Sequence, residues 1–357
     1  IVWPYAYPPL IAVALVPATF LPYGLVRVGW WVLGVGSVVG GVWLLLRAMD
    51  ALAPPYLALA LLLLVRFEPL VSALRLGQME LLQFLLLALA LYALTLGRLT
   101  GEAIGGLALG VAAGLKFFPG ALIALLLWRR RWRAAAWALG TMLACIAAPA
   151  WVTGFDLSKY WGYASIYGLG GAFAGFPLNQ SLNGFFSRNL VHNVFTVTLK
   201  GVHLPGLAKG LTLASSALIV GLSAWLTRGT KGRQSRADEH FALAYGLAIV
   251  ALLLISPHSQ VYTYVWALLP LLILFIQESR MAERSLWWMG GVLAYLLIGR
   301  RYTFFYPGLT RIVQAHVLVG GVCLWLLLAV MLWRRQRAAN RAIEDVVERA
   351  PLPAEGD

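Results

Sequence analysis

The chain is poor in the features of a soluble enzyme. Only 14 Asp and Glu stand against 28 Lys and Arg in 357 residues, and charged residues make up just 12%. No stretch of ordinary globular composition reaches about 50 residues, the lower end of domain size, so no soluble domain is expected. The two cysteines, Cys145 and Cys323, both lie in apolar runs, which argues against a disulfide or a metal site. His192 and His203 are far from His258 and form no metal-ligand spacing. There is no Gly-Lys-Ser/Thr phosphate loop and no GxGxxG turn between strand and helix, so the nucleotide-binding domain of soluble transferases is excluded. The chain also lacks an initiating methionine and a targeting signal: it opens at Ile1 inside an aromatic, proline-rich segment and is expected to be an N-terminally truncated sequence.

Apolar residues fill the space that these absences leave. They make up 61% of the chain, and the mean hydropathy of +0.79 places it among integral membrane proteins. The net charge of +14 does not point to nucleic acid, because the basic residues form short clusters between apolar runs, as cytoplasmic loops do. Spans are expected at Trp30–Leu46, Leu81–Leu96, Ala134–Trp151, Leu204–Leu226, Phe241–Ile255, Val261–Ile276, Leu286–Ile298 and Ile312–Trp333. Leu10–Pro22 is too short and proline-broken to cross, Tyr56–Val65 is also short, and residues 338–357 form a cytoplasmic tail, a short helix with a disordered end. The clusters at Arg47, Arg98, Arg129–Arg133, Arg228–Arg236, Arg280/Arg284 and Arg334–Arg341 then all fall on the cytoplasmic side. The opposite face receives Gln78, Lys116, the long loop Val152–His203, His258 and Arg300/Arg301.

Lys116 is the charge around which this pattern turns. It sits between apolar stretches of about a dozen residues, where a lysine costs roughly 2.5–3.5 kcal/mol if left at mid-membrane. Pro119 disfavours helix just before it and starts helices well. The expectation is two short helices, Glu102–Leu115 and Pro119–Trp128, with Lys116 at their apex near one membrane face. There it is either a snorkelling anchor or a cation in a wet cavity with an anionic partner. The loop Gly175–Arg188 offers Asn179, Gln180, Ser181 and Asn183 among aromatic residues. Such amides suit a polyhydroxylated sugar, and Arg188 suits a phosphate. An ordinary Asn- and Gly-rich turn reads the same way. His258, at a span end after Pro257, is either a proton shuttle or phosphate partner, or a plain interfacial histidine.

Several local patterns, in order, resemble glycosyltransferase family 87, the polyprenyl-phosphate-mannose-dependent mannosyltransferases of the GT-C superfamily. They are Tyr7-Pro8-Pro9-Leu10, Gly77-Gln78, Gly114-Leu115-Lys116-Phe117-Phe118-Pro119, Asn179-Gln180-Ser181-Leu182-Asn183-Gly184 and Ser256-Pro257-His258. The resemblance implies an all-α polytopic GT-C bundle over residues 1–337, with short re-entrant helices and no cofactor or metal. It implies a bacterial cytoplasmic membrane enzyme with its site on the outer face and its C-terminus inside. Such an enzyme moves a hexose, expected to be mannose, from a polyprenyl-phosphate sugar to a lipid or cell-envelope glycan acceptor. On this pattern Lys116, with Arg188, Arg300 and Arg301, takes the donor phosphate. His258 is the catalytic partner, and Tyr7, Gln78, Glu80, Asn179, Gln180, Ser181 and Asn183 bind sugar or acceptor. The family's catalytic aspartate precedes the Tyr-Pro-Pro motif and is expected to lie upstream of this chain. The rival readings are a transporter for a lipid-linked or anionic solute, for which broken helices and a buried lysine are equally natural, and a scaffold without chemistry.

Overall fold

The computed structural model describes residues 7–154, 156, 158, 168–192, 202–228, 239–280, 285–301 and 314–348. Ile1, much of the Val152–His203 loop, Arg236, Arg284, Ile312 and residues 349–357, all read above, lie outside the described residues. Fourteen α-helices and no strands are found among those described. The first eight are α1 (Pro9–Ala14), α2 (Tyr23–Ala48), α3 (Pro54–Leu64), α4 (Glu68–Arg75), α5 (Glu80–Thr95), α6 (Leu99–Leu115), α7 (Leu122–Trp128) and α8 (Trp132–Thr153). Then come α9 (Leu182–Leu190), α10 (Pro205–Leu226), α11 (Glu239–Ile255), α12 (Leu268–Ser279), α13 (Ser285–Gly299) and α14 (His316–Glu348).

Among the described residues, five helical segments are long and apolar enough to cross a membrane: Tyr23–Ala48, Trp132–Thr153, Pro205–Leu226, Val261–Ser279 and His316–Ala338. The α3–α4 pair, bent by 63° at Val65–Phe67, makes a sixth if counted as one broken span. Leu10–Pro22 is not among them: α1 and the 3-10 turn Val16–Phe20 are too short to count as a span by length. The tail boundary after Arg337 is not a structural one. Helix α14 continues unbroken through it to Glu348, because no proline or glycine interrupts Ala338–Glu348.

Side-chain hydrogen bonds gather the basic turns at one end of the bundle. Arg129 reaches the carbonyl of Thr227 (3.1 Å), Arg131 that of Leu94 (2.8 Å), and Arg280 that of Met49 (2.7 Å). Arg335 donates to Gln277, and Gln336 to the carbonyl of Leu226. Arg129, Arg131 and Arg280 each satisfy a carbonyl at or next to a helix end that has no intrahelical partner. Lys116, Gln78 and His258 share the other end.

Val261–Ser279 is the pillar of the fold and is buried from Val261 to Glu278. Its first turns are 3-10, over Val261–Ala267, which winds the chain tighter and brings Tyr262, Thr263 and Trp266 to bear at the site end. Helix α6 carries Lys116 to that end between two close neighbours. A Cβ on Gly106, Gly110 or Gly114 would fall 2.4–2.6 Å from Ala134, Ala138, Thr141 or Cys145 of α8. One on Gly101 or Gly105 would strike Ala93 or Leu94 of α5. Glycines at four-residue spacing let helix backbones approach closely, and dispersion over that contact replaces the missing side chains.

Candidate active site

Helix α6 ends at Leu115 because Lys116 takes an extended conformation (φ −156°, ψ 126°) and Pro119 follows in the 3-10 turn Phe118–Ala121. The two expected helices around Lys116 are both present, the second entered through that turn. The ammonium faces the interior of the site end. Its Nζ lies 2.6 Å from Glu80 Oε1 and 5.6–5.8 Å from the ring centroids of Tyr7, Phe118 and Tyr262. Three aromatic faces and one carboxylate make an electrostatic seat for a cation in a site with little water. Burial works against the ammonium, but Glu80 and the neighbouring Tyr7 more than offset it, so the pKa of Lys116 stands above its ordinary value. Lys116 is a paired cation, not a snorkelling anchor.

Glu80 opens α5 and is wholly buried. Its Oε1 also accepts from Thr263 Oγ1 (3.3 Å), and its carbonyl from Trp266 Nε1 (3.2 Å). Its second oxygen, Oε2, has no hydrogen-bond partner among the described residues. Beside the pair, Tyr7 donates its hydroxyl to Gln78 Oε1 at 3.1 Å. Gln78 is placed by the Gly77 turn (φ +60°), whose carbonyl is held by Trp30 Nε1 at 2.9 Å. Four of the residues selected from sequence, Tyr7, Gln78, Glu80 and Lys116, thus form one cluster.

The loop after residue 168 and the turn Ser256–Gln260 are clasped together. Asn179 Oδ1 accepts from the backbone of Ser259 (3.0 Å) and Ser181 (3.3 Å) and from Ser181 Oγ (2.9 Å). Its Nδ2 donates to the carbonyls of Ala174 (3.0 Å) and Pro257 (3.1 Å). Asn183 Nδ2 donates to the same Pro257 carbonyl at 2.8 Å, and Ser181 Oγ caps α9 through Gly184 N. A short antiparallel bridge pairs Asn179 with Gln260, and Tyr264 donates to the Gln180 carbonyl (2.7 Å). Arg188 Nη1 donates to the carbonyls of Phe176 and Asn179, so that guanidinium edge holds its own loop. These amides and this arginine position the turn that carries His258. The Gln180 side chain is the exception: its Nε2 reaches Pro177 O (3.1 Å), while its buried Oε1 has no partner among the described residues.

His258 is buried on the Phe176 ring (centroids 6.4 Å apart), with its Nε2 2.8 Å from Gln260 Nε2. With the Gln260 amide donating, the imidazole carries its proton on Nδ1. Burial, and then the charge of Lys116, push its pKa down to about 3, so the ring is neutral across the physiological range. Arg300 and Arg301 are exposed at the end of α13, where Arg300 neighbours His316; no contact brings either to Lys116. No group of three His, Cys, Asp or Glu able to hold a metal occurs among the described residues.

Sequence reading did not select Phe118, Tyr262, Thr263 or Trp266 for the site. Their aromatic and β-branched character was visible. Nothing in their spacing told that the 3-10 turn of the pillar would face Lys116.

Comparison with known proteins bears on this arrangement. A model of glycosyltransferase family 87 matches residues 5–257. A polyprenol-phosphate-mannose-dependent alpha-(1-2)-phosphatidylinositol pentamannoside mannosyltransferase of Mycobacterium tuberculosis is 28% identical over 319 residues. That match covers 87% of this chain and 67% of the relative. A protein of the same description from Mycolicibacterium smegmatis is 28% identical over 302 residues, covering 83% and 67%. No solved structure matches significantly.

Proposed function

Because the chain belongs to glycosyltransferase family 87, we propose that it transfers a mannosyl unit from a polyprenyl-phosphate mannose to a hydroxyl of a glycolipid acceptor, at the outer face of the cytoplasmic membrane. One observation carries the reading: a paired ammonium, Lys116, held in an aromatic seat at one end of a multi-pass helical bundle. The leaving group is a lipid phosphate, and its bridging oxygen gains charge as the anomeric C–O bond breaks. A fixed cation beside that oxygen stabilises the transition state more than the ground state, and one already in place needs no reorganisation.

The surrounding groups divide the remaining work. Tyr7 and Gln78, linked to each other, offer acceptors for sugar hydroxyls, and the buried Glu80 holds Lys116 beside them. Neutral His258 donates Nδ1–H toward the phosphate and does not compete with it for a proton. Asn179, Asn183 and Arg188 act by holding the His258 turn, and the exposed Arg300 and Arg301 draw an anionic headgroup towards this end. No residue of this chain is assigned the deprotonation of the acceptor.

The test is label transfer from radiolabelled polyprenyl-phosphate mannose in membranes bearing the full protein, with Lys116→Ala alongside. Glycolipid labelling that falls by about a hundredfold or more in the variant supports the reading, on the scale seen when one oxyanion donor is removed. Absence of transfer from any polyprenyl-linked sugar, with substrate counterflow in sealed vesicles, would make the protein a transporter.

A further inference from the structure

Helices α5 and α6 run antiparallel and keep one register along their contact. A Cβ on Gly105 of α6 would lie 2.7 Å from the Leu94 side chain and 3.2 Å from the Ala90 carbonyl of α5. Nearer the site, Gln83 Nε2 donates to the Ala112 carbonyl at 2.9 Å, and Glu80 meets Lys116. Apolar contact sets how near two helices lie but is not directional, whereas a hydrogen bond fixes both a distance and an angle. Gln83 therefore limits how far α6 can slide along α5.

Helix α5 is a firm reference for that register. Its Glu80 carbonyl accepts from Trp266 (3.2 Å) and its Leu87 carbonyl from the Tyr245 hydroxyl (3.1 Å), and Trp266, Tyr245 and Gln83 are all buried. Gln83 follows Glu80 by three residues, on the same helix face, and Ala112 lies one turn before Lys116. The Lys116 backbone N–H donates to the same Ala112 carbonyl at 3.3 Å as the chain leaves the helix. That carbonyl is thus satisfied without Gln83, while the buried Oε1 of Gln83 has no hydrogen-bond partner among the described residues. A buried amide with one group unpaired works against folding, and an apolar side chain of similar volume would not. A local rule broken beside a site is the mark of a residue kept for function.

We propose that Gln83 is a positioning residue: by holding the last turn of α6 it keeps the Lys116 ammonium where the leaving phosphate needs it. The inference rests on the role of Lys116 proposed above. The test uses the full protein in membranes with radiolabelled polyprenyl-phosphate mannose. Gln83→Met keeps the volume and removes the donor. It is expected to lower kcat about tenfold, within the range for a small misplacement near the chemistry. KM for the donor should stay within about twofold, and the unfolding temperature should equal or exceed that of wild type. In a Lys116→Ala background the same substitution should cost nothing further, because residues that act through one interaction are not additive. Hydrogen exchange over residues 113–118 should quicken in Gln83→Met while that over 84–95 is unchanged. An unchanged kcat, a raised KM with kcat preserved, a full loss in the Lys116→Ala background or unaltered exchange would each overturn the inference. So would failure of both Gln83→Met and Gln83→Leu to fold, since the side chain must be dispensable for stability. Wild-type membranes that transfer no label from any polyprenyl-linked mannose would overturn the donor reading, and this inference with it. The kinetic outcomes are all read against an active wild type, so the two failures are told apart.

Discussion

Lys116 and Glu80, 36 residues apart, meet at 2.6 Å with unequal dryness: the lysine side chain keeps 16% of its surface exposed and the glutamate none. Removing the lysine therefore strands a carboxylate in the core. Lys116→Met is expected to lower stability by about 3–5 kcal/mol, the range for breaking a buried pair from one side. The double variant Lys116→Met/Glu80→Leu should recover most of that loss while transfer stays abolished. Thermal unfolding in detergent, read beside transferase activity, separates the two effects. Equal stability of single and double variants would mean that the residues are not coupled.

The Asn179 clasp makes a different demand. Its amide nitrogen donates to two carbonyls, so Asn179→Asp turns a donor into an acceptor facing two acceptors. A loss of about 1–3 kcal/mol is expected, or more for the charged form. Activity should fall through kcat, because the Asn179 amide is spent on the clasp and the substitution displaces the His258 turn. Gln180→Leu, which removes only one hydrogen bond to Pro177, should preserve stability within about 1 kcal/mol. It would affect KM if Gln180 Oε1 meets the substrate. A KM effect in Asn179→Asp with unchanged kcat would count against the clasp.

Much of this organisation was legible in the sequence because membrane segments and their charges are written in plain periodicities. The Lys116 hairpin could be read from one lysine and one proline, and the sorting of polar residues to two ends from the arginine clusters. The family resemblance assigned Tyr7, Gln78, Glu80 and Lys116 to one site in separate roles, and the Lys116–Glu80 pair within it was not read. What could not be read was where satisfied amides point. Asn179 and Asn183 have the composition of a sugar site, yet their hydrogen-bonding capacity goes to backbone carbonyls and amides 74–80 residues away. Composition cannot tell a donor aimed at a ligand from one aimed at a distant loop. The continuous α14 was hidden for a similar reason: a change from apolar to charged residues marks a membrane boundary, not a helix end.

The glycine stripe on α6 predicts opposite outcomes for one chemical change. At Gly110 a methyl would lie 2.5 Å from Thr141 Cβ and 2.6 Å from the Ala138 carbonyl. Gly110→Ala must therefore push α6 off α8 and is expected to cost about 1–3 kcal/mol. Activity should fall too, since α6 delivers Lys116. Gly140 on α8 has nothing within 4 Å, so Gly140→Ala should gain about 0.5–1 kcal/mol from helix propensity alone. Comparing the two melting temperatures checks the packing, and two shifts of the same sign would count against it.

His258 supplies a pH signature of the folded state. Its folded pKa, about 3, lies below the ordinary 6.5, so the unfolded chain binds a proton that the folded protein excludes. Stability from this group is complete above pH 6.5 and is lost as the pH falls towards 3. The loss approaches about 1.4 kcal/mol per pH unit well below 6.5. Unfolding temperatures between pH 7.5 and 4.5 should decline in wild type and decline less in His258→Gln, which has no such proton to exclude. A bound lipid phosphate that stabilised an imidazolium would raise the folded pKa towards 6.5 and flatten the decline without moving its onset. Identical slopes in wild type and His258→Gln would show that the ring is not held neutral by its burial beside Lys116.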